Sequence, residues 1–321
     1  MKIKNVITKN NIISAPLAGY TNLAFRKVLQ KANVGLVYTE MISAKGLLYD
    51  NDKTWELTTI DDDEHPIALQ LFGGDKEDLV KAAIKIDQET NCDIIDINMG
   101  CPIKKVLKSE SGSKMLVDID KTVDIVKAVV ENVEKPVSCK IRAGWDHSTI
   151  NCAELAKRLE AVGVSLITIH GRTKSDLYTG KCNLDYIKAV KEAVSIPVIG
   201  NGDINSIEDA KTMFEYTKCD GIMIGRGCIG NPWLIRDLVD YFNNQPVKEP
   251  PTKEERIEMM LYHYEELLKI KPEKIATIEM RSLASHYTKG ISSSKAFKIG
   301  LINCTTKEAF YENVKCNLLN M

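Results

Sequence analysis

About eight short apolar runs recur along this chain, and nearly every one ends in a polar group that a hydrophobic core would reject. Ile12-Ile13 ends in Ala15-Pro16-Leu17-Ala18-Gly19, Val34 to Tyr38 ends at Glu40, Ile67 to Leu71 carries Gln70, and Ile94 to Ile97 ends in Asn98-Met99-Gly100-Cys101. Val137 to Ile141 carries Lys140 and Arg142, and Leu166 to Ile169 ends in His170-Gly171-Arg172. Pro197 to Ile199 ends in Gly200-Asn201-Gly202-Asp203, and Gly221 to Ile224 in Gly225-Arg226-Gly227. Helical periods separate the runs: Leu79, Ala82, Ala83 and Ile86 form one apolar stripe, as do Val123, Val126 and Val130, and Leu155, Leu159 and Val162. Alternating strands and helices require parallel crossovers. A closed (β/α)8 TIM barrel gathers all such strand ends on one rim, where barrel enzymes keep their active sites. An open doubly wound sheet shares the elements but not the even spread of polar ends, so the barrel is expected.

The length of 321 residues suits a barrel of about 250 residues with a small addition. Asn243-Asn244-Gln245-Pro246 through Pro250-Pro251 reads as a linker, beyond which the pattern is purely helical. Residues 1–243 are therefore expected to form the barrel and 244–321 a helical domain. Thr252 with Glu255 and Thr305 with Glu308 fit capping boxes, and Gly290 is expected to close a helix from about Glu273 to Lys289. Between Lys269 and Lys307 eight Lys or Arg residues face only Glu273 and Glu279. Such a stretch is either a solvated face or, beside a barrel rim, a track for a phosphate backbone.

The net charge of −1 gives no global sign of a polyanion partner. There is no signal-like leader and no apolar run of membrane-spanning length, so a cytoplasmic protein without membrane attachment, and a monomer, are expected. Nine cysteines without any C-x-x-C spacing argue against a disulfide framework or a zinc knuckle, and no histidine has ligand spacing; no metal is expected. Cys92, Cys139 and Cys219 read as small buried hydrophobes.

Gly225-Arg226-Gly227-Cys228-Ile229-Gly230 matches a dinucleotide fingerprint, but no second acidic strand follows it. Its better reading is a site where N–H groups and Arg226 hold one phosphate, completed by Asn201-Gly202-Asp203, since barrels build that site after strands seven and eight. Gln70 and Lys140 lie inside strands; each is either a satisfied core group or a contact to a cofactor ring, and Lys140 is also open to a Schiff-base role. Cys101, between Gly100 and Pro102 and followed by Lys104 and Lys105, is expected at the rim, where adjacent cations lower a thiol pKa. With no histidine beside it, a general acid is its most economical role. His170 at a strand end is a candidate cofactor contact, and Arg142 and Arg172 are candidate phosphate ligands.

Taken in order, Ala15-Pro16-Leu17-Ala18-Gly19 with Phe25-Arg26, Thr39-Glu40-Met41, Asp96-Ile97-Asn98-Met99-Gly100-Cys101-Pro102, Lys140-Ile141-Arg142, His170-Gly171-Arg172-Thr173, Gly200-Asn201-Gly202-Asp203 and Met223-Ile224-Gly225-Arg226-Gly227 closely resemble the tRNA-dihydrouridine synthases, and most of all their bacterial B-type branch. The resemblance implies an FMN-bearing barrel, a helical tRNA-binding domain and NADPH as reductant. It implies backbone contacts from Pro16, Leu17 and Ala18 to the flavin, and ring contacts from Gln70, Lys140 and His170. Asn201, Gly202, Asp203, Gly225 and Arg226 would lie at its phosphate side, Asn98 and Arg142 would face the substrate base, and Cys101 would be the proton donor. The implied reaction is reduction of the uridine C5–C6 bond in the tRNA D-loop to 5,6-dihydrouridine. A flavin-dependent pyrimidine or dihydroorotate-type oxidoreductase acting on a small molecule is the alternative, and an RNA-binding protein on a barrel relic is the non-enzymatic one. The chain departs from the family pattern at Leu17, Tyr20, Thr173-Lys174-Ser175-Asp176 and Ser282-Leu283.

Overall fold

In the computed structural model, which describes residues 1–49, 51–292 and 294–319, eight strands form one parallel barrel. They are β1 (Ile12–Ser14), β2 (Val37–Ser43), β3 (Ile67–Phe72), β4 (Ile94–Met99), β5 (Val137–Arg142), β6 (Leu166–His170), β7 (Val198–Asn201) and β8 (Gly221–Ile224). β8 pairs back onto β1, and a parallel bridge from Ile13 to Leu36, just before β2, completes the ring. The outer ring includes α1 (Leu23–Lys31), α2 (Lys76–Glu89), α3 (Ile119–Val130), α4 (Cys152–Ala161), α5 (Leu184–Ala193), α6 (Ile207–Thr217) and α7 (Trp233–Phe242). Side-chain caps start several of them: Asn22, Asp75, Asp118 and Ser206 each accept a hydrogen bond from an N–H in the first helical turn.

The two-residue period of the strands sorts their side chains. Ile95 and Ile97 of β4, with Cys139 and Ile141 of β5, belong to the apolar shell beneath the helices. Their neighbours turn inward and grade from apolar to polar along each strand: Ile94, Asp96 and Asn98 on β4, and Leu166, Thr168 and His170 on β6. Ile13, Leu36, Ala68, Ile94, Leu166, Ile199 and Met223 make the lower apolar layer, and Ile3 from the hairpin Lys2–Ile7 closes it from below. The barrel floor is thus apolar, and polar side chains begin above it, toward the C-terminal mouth.

Arg26 on α1 is one of the largest fully buried side chains. Its Nε and Nη2 reach the two Glu64 oxygens at 2.8 and 3.1 Å, while Nη1 and Nη2 donate to the carbonyls of Thr21 and Thr59 at 3.0 and 2.7 Å. This engages four of the five guanidinium N–H donors and ties the segment before β3 to α1.

After the proline-rich segment come α8 (Lys253–Ile270), α9 (Glu273–Tyr287), α10 (Ser294–Leu301) and α11 (Lys307–Val314). α8 lies on α1: the Phe25 and His263 rings are 5.7 Å apart, and Lys31 Nζ sits 4.2 Å over Tyr262. α9 reaches the mouth of the barrel, where Gly230, at φ +63°, approaches it so closely that a Cβ would lie 2.5 Å from that of His286. The Thr252–Glu255 capping box forms. The one expected at Thr305 does not, because Thr306 is the N-cap and accepts from the Ala309 N–H. α9 ends at Tyr287, before Lys289. Residues 293, 320 and 321 of the expected helical segment lie outside the described residues. Among the described residues no helix is long and apolar enough to cross a membrane.

Candidate active site

The barrel mouth holds a cavity of about 570 Å³. Pro16, Leu17, Ala18, Asn98, Cys101, Lys140, Arg142, His170, Asn201, Gly202, Asp203, Gly225 and Arg226 all line it. With Met41 of β2 included, residues from seven strand ends or the loops just beyond them therefore share one space, because parallel strands end on one side.

Gln70 is the exception among the expected site residues. It is fully buried and absent from the cavity wall. Its Nε2 donates to Asp96 Oδ2 at 2.7 Å, and its Oε1 accepts from Asn98 Nδ2 at 2.7 Å. Asn98 stands one layer higher, and its Oδ1 accepts the N–H groups of Gly100 and Cys101 at 3.1 and 3.0 Å.

Lys140 is half-buried and donates to Asn201 Oδ1 at 3.1 Å, while Asn201 Nδ2 is held by the Met223 carbonyl at 2.8 Å. Burial, then repulsion from Arg142, pulls the Lys140 ammonium down to about 8, against the attraction of Asp96. Burial pushes the Asp96 carboxyl up to about 6, although Ser138 and Gln70 both donate to it. Burial also holds His170 well below its ordinary value, aided by Lys140, Arg142, Arg172 and Arg226. Its imidazole is neutral at pH 7, and Nε2 accepts from Arg172 Nη1 at 3.3 Å.

Cys101 is half-buried in the wall rather than freely exposed. Burial raises its thiol pKa; the Ile103 N–H, Arg142 and Lys140 oppose that rise without overcoming it. This reverses the expected lowering by Lys104 and Lys105, which lie outside the cavity wall on the short helix Lys104–Leu107. The thiol is thus protonated at neutral pH, with two cations near enough to favour the thiolate once a proton leaves.

The arginines divide by role. Arg142 donates through Nε to the Gly100 carbonyl at 2.8 Å and through Nη1 to the carbonyls of Thr173 and Leu177. Arg172 is committed to the Thr179 and Gly180 carbonyls and to Asp203. Asp203 also accepts from the Cys182 N–H, and these donors hold its carboxylate below the ordinary range despite burial. Arg226, by contrast, has no carboxylate partner among the described residues; its guanidinium lies 5.1 Å from the Tyr178 ring. The N–H groups of Arg226 and Gly227 are likewise free of backbone partners among the described residues. A cation and unpaired N–H groups at one turn make an anion cradle. Tyr178, half exposed and 5.4 Å from Arg142 as well, was not singled out from sequence; an aromatic residue in a strand-end loop was the available signal.

Comparison with known proteins places this architecture. The family model described as Dihydrouridine synthase (Dus) matches residues 13–321. A relative named tRNA-dihydrouridine synthase B from Pasteurella multocida is 40% identical over 93% of this chain and 90% of its own length. A probable tRNA-dihydrouridine synthase from Rickettsia conorii is 36% identical over 94% of this chain and 91% of its own length. Among solved structures, TcOYE with pHBA superposes with a TM-score of 0.54 at 18% identity, covering 78% of this chain and 93% of that one. Histamine dehydrogenase from Rhizobium sp. 4-9 gives 0.56 at 13% identity, over 83% of this chain and 50% of that one, and at such identities both show the fold alone. A family match across nearly the whole chain, on a barrel whose mouth carries the family's Asn-Met-Gly-Cys-Pro segment, makes this protein an enzyme of the dihydrouridine synthase family.

Proposed function

We propose that this enzyme reduces the C5–C6 double bond of a uridine in the tRNA D-loop to 5,6-dihydrouridine, with FMN in the barrel mouth, NADPH as reductant and Cys101 as proton donor. The observation that carries the reading is the Cys101 thiol, its pKa raised by burial, lining the same cavity as an arginine at a Gly-Arg-Gly turn that has no carboxylate partner within salt-bridge distance among the described residues.

The residues suit a flavin nucleotide. A cavity of about 570 Å³ is in the range of small-molecule sites. Arg226, with the N–H groups of its turn and of the Gly202-Asp203 loop, would hold the phosphate; Gly202, at φ +136°, takes a backbone form that favours glycine there. Lys140 and neutral His170 would meet the polar edge of the ring, and Pro16, Leu17 and Ala18 its flank. Gln70, which does not reach the cavity, would support Asn98 from beneath. When bound, the flavin supplies the hydride that the double bond accepts.

The chain's own residues do the remaining work. Cys101 gives its Sγ proton to C5: the S–H bond breaks, a C–H bond forms, and the thiolate left behind is stabilised by Arg142 and Lys140 before solvent restores it. Asn98 and Arg142 orient the base. Residues 1–243 serve as the catalytic barrel and 244–321 as the tRNA-binding domain. Lys269, Lys271 and Lys307 of the basic stretch are paired with Glu266, Glu279 and Glu265. Lys289 and Lys298 lie near His286, which packs on Gly230, one residue from the cavity-lining Ile229. Those cations would carry the tRNA backbone to the mouth, offsetting the few kcal/mol needed to unstack a base.

The test is Cys101→Ala in the FMN-loaded enzyme. Flavin binding and its reduction by NADPH should persist, while dihydrouridine formation on unmodified tRNA falls by about a hundredfold or more. Turnover equal to wild type would reject the acid role. Salt-independent binding of tRNA would favour a small-molecule pyrimidine substrate instead.

A further inference from the structure

Beneath the cavity a buried chain of hydrogen bonds runs from β5 to the catalytic loop. Ser138 Oγ donates to Asp96 Oδ1 at 2.5 Å, Gln70 Nε2 donates to Asp96 Oδ2, Asn98 Nδ2 donates to Gln70 Oε1, and Asn98 Oδ1 accepts the N–H groups of Gly100 and Cys101. Asp96 and Gln70 are fully buried, and neither lines the cavity. The strand register stacks them: Gln70 pairs with Asp96, and Asp96 with Ser138.

Each link has a polarity. An ionised carboxylate only accepts, so the Gln70 amide must turn its NH2 toward Asp96, which leaves its carbonyl oxygen toward Asn98. Asn98 must then turn its NH2 to Gln70 and its oxygen to the loop. Both lone pairs of that oxygen are used by Gly100 and Cys101. The second N–H of Asn98 donates, among the described residues, to the weak acceptor Met41 Sδ at 3.6 Å, and both residues line the cavity, so a stronger acceptor there would compete for it.

We propose that Asp96 is a positioning residue which, through Gln70, fixes Asn98 as a hydrogen-bond donor to the cavity and so makes the site select a base carrying a carbonyl oxygen over one carrying an amino group. Uracil offers a C4 carbonyl where cytosine offers a C4 amine, and a donor facing an amine gains no acceptor better than Met41 Sδ. The same polarity makes Asn98 the acceptor that holds the Cys101 N–H, so base choice and thiol placement depend on one orientation. This inference rests on the uridine-reducing reading of the site.

The experiment uses the FMN-loaded enzyme and two transcripts of one tRNA, carrying uridine or cytidine at the position that wild type reduces. Single-turnover gain of two hydrogens is followed by mass spectrometry for wild type, Asp96→Leu and Asp96→Asn. Asp96→Leu removes the acceptor while leaving every cavity-lining residue in place. The uridine rate should fall, and the uridine-to-cytidine rate ratio should narrow by about tenfold, the scale of one misdirected buried hydrogen bond. Asp96→Asn, isosteric and able to present its oxygen to Gln70, should recover part of the ratio. If Asp96→Leu does not fold, Asp96→Asn carries the test, because an amide that can face either way should still narrow the ratio. Lowered thermal stability with an unchanged ratio in the folded variants would reduce Asp96 to a structural group and overturn the proposal. Failure of wild type to reduce either transcript would instead overturn the reading on which it rests.

Discussion

His263 should make the docking of the helical segment sensitive to acid. It is fully buried on α8 against Phe25 of α1; Nδ1 meets Tyr287 Oη at 3.1 Å, and Nε2 has no hydrogen-bond partner among the described residues. Burial holds its pKa down at about 3, against an ordinary value of 6.5. The folded ring therefore stays neutral in a range where the unfolded ring takes a proton. Its contribution is fully present above pH 6.5 and is lost progressively as the pH falls toward 3. One proton taken up on unfolding corresponds to about 1.4 kcal/mol per pH unit once the unfolded ring is charged, or about 2 kcal/mol between pH 6.5 and 4.5. The perturbation is His263→Gln, which keeps a hydrogen-bonding side chain but cannot titrate. Urea unfolding at several pH values should show wild type losing stability faster than the variant by nearly one proton's slope, whatever offset the substitution adds at pH 7. Limited proteolysis should show the segment after residue 244 opening first in wild type at low pH. Parallel stability curves would mean that His263 is protonated in the fold and that the dry junction between α1, α8 and α9 is misdescribed.

Two further perturbations test the core and the site. Arg26→Met should cost about 3–5 kcal/mol in urea unfolding, because Glu64 is left buried and unpaired, whereas Arg26→Met with Glu64→Leu should regain most of it; equal losses would show that the pair itself is not the source. Arg226→Ala should weaken FMN binding, followed by flavin fluorescence, by about ten- to a hundredfold, the worth of one charged hydrogen bond; an unchanged Kd would move the phosphate elsewhere.

Much of this molecule was legible from spacing because barrel strands are local objects. Apolar runs of three to five residues with polar ends became β3 to β8, and the ends met on one rim as parallel strands require. The Thr252–Glu255 box also formed, since only four residues must cooperate. What escaped was depth. Gln70 and Lys140 look alike in sequence, each a polar residue inside a strand, yet Gln70 sits below the cavity and Lys140 in its wall. Period two assigns a side chain to the inside of the barrel; its height there depends on the stagger of neighbouring strands, which no single strand encodes.

Electrostatics escaped for a related reason. Lys104 and Lys105 are neighbours of Cys101 in the chain, but the cations that act on its thiol are Arg142 and Lys140 from the adjacent strand, and burial outweighs both. Sequence alone determined the barrel, its rim, the helical addition and the family signature, because those follow from periodicity and short motifs. Tertiary structure decided that burial raises the Cys101 thiol pKa, that Arg26 finds Glu64 across 38 positions, and that hydrogen bonds link Asp96 to Asn98 through Gln70. Those outcomes depend on burial and on distances between strands, and both exist only once the ring has closed.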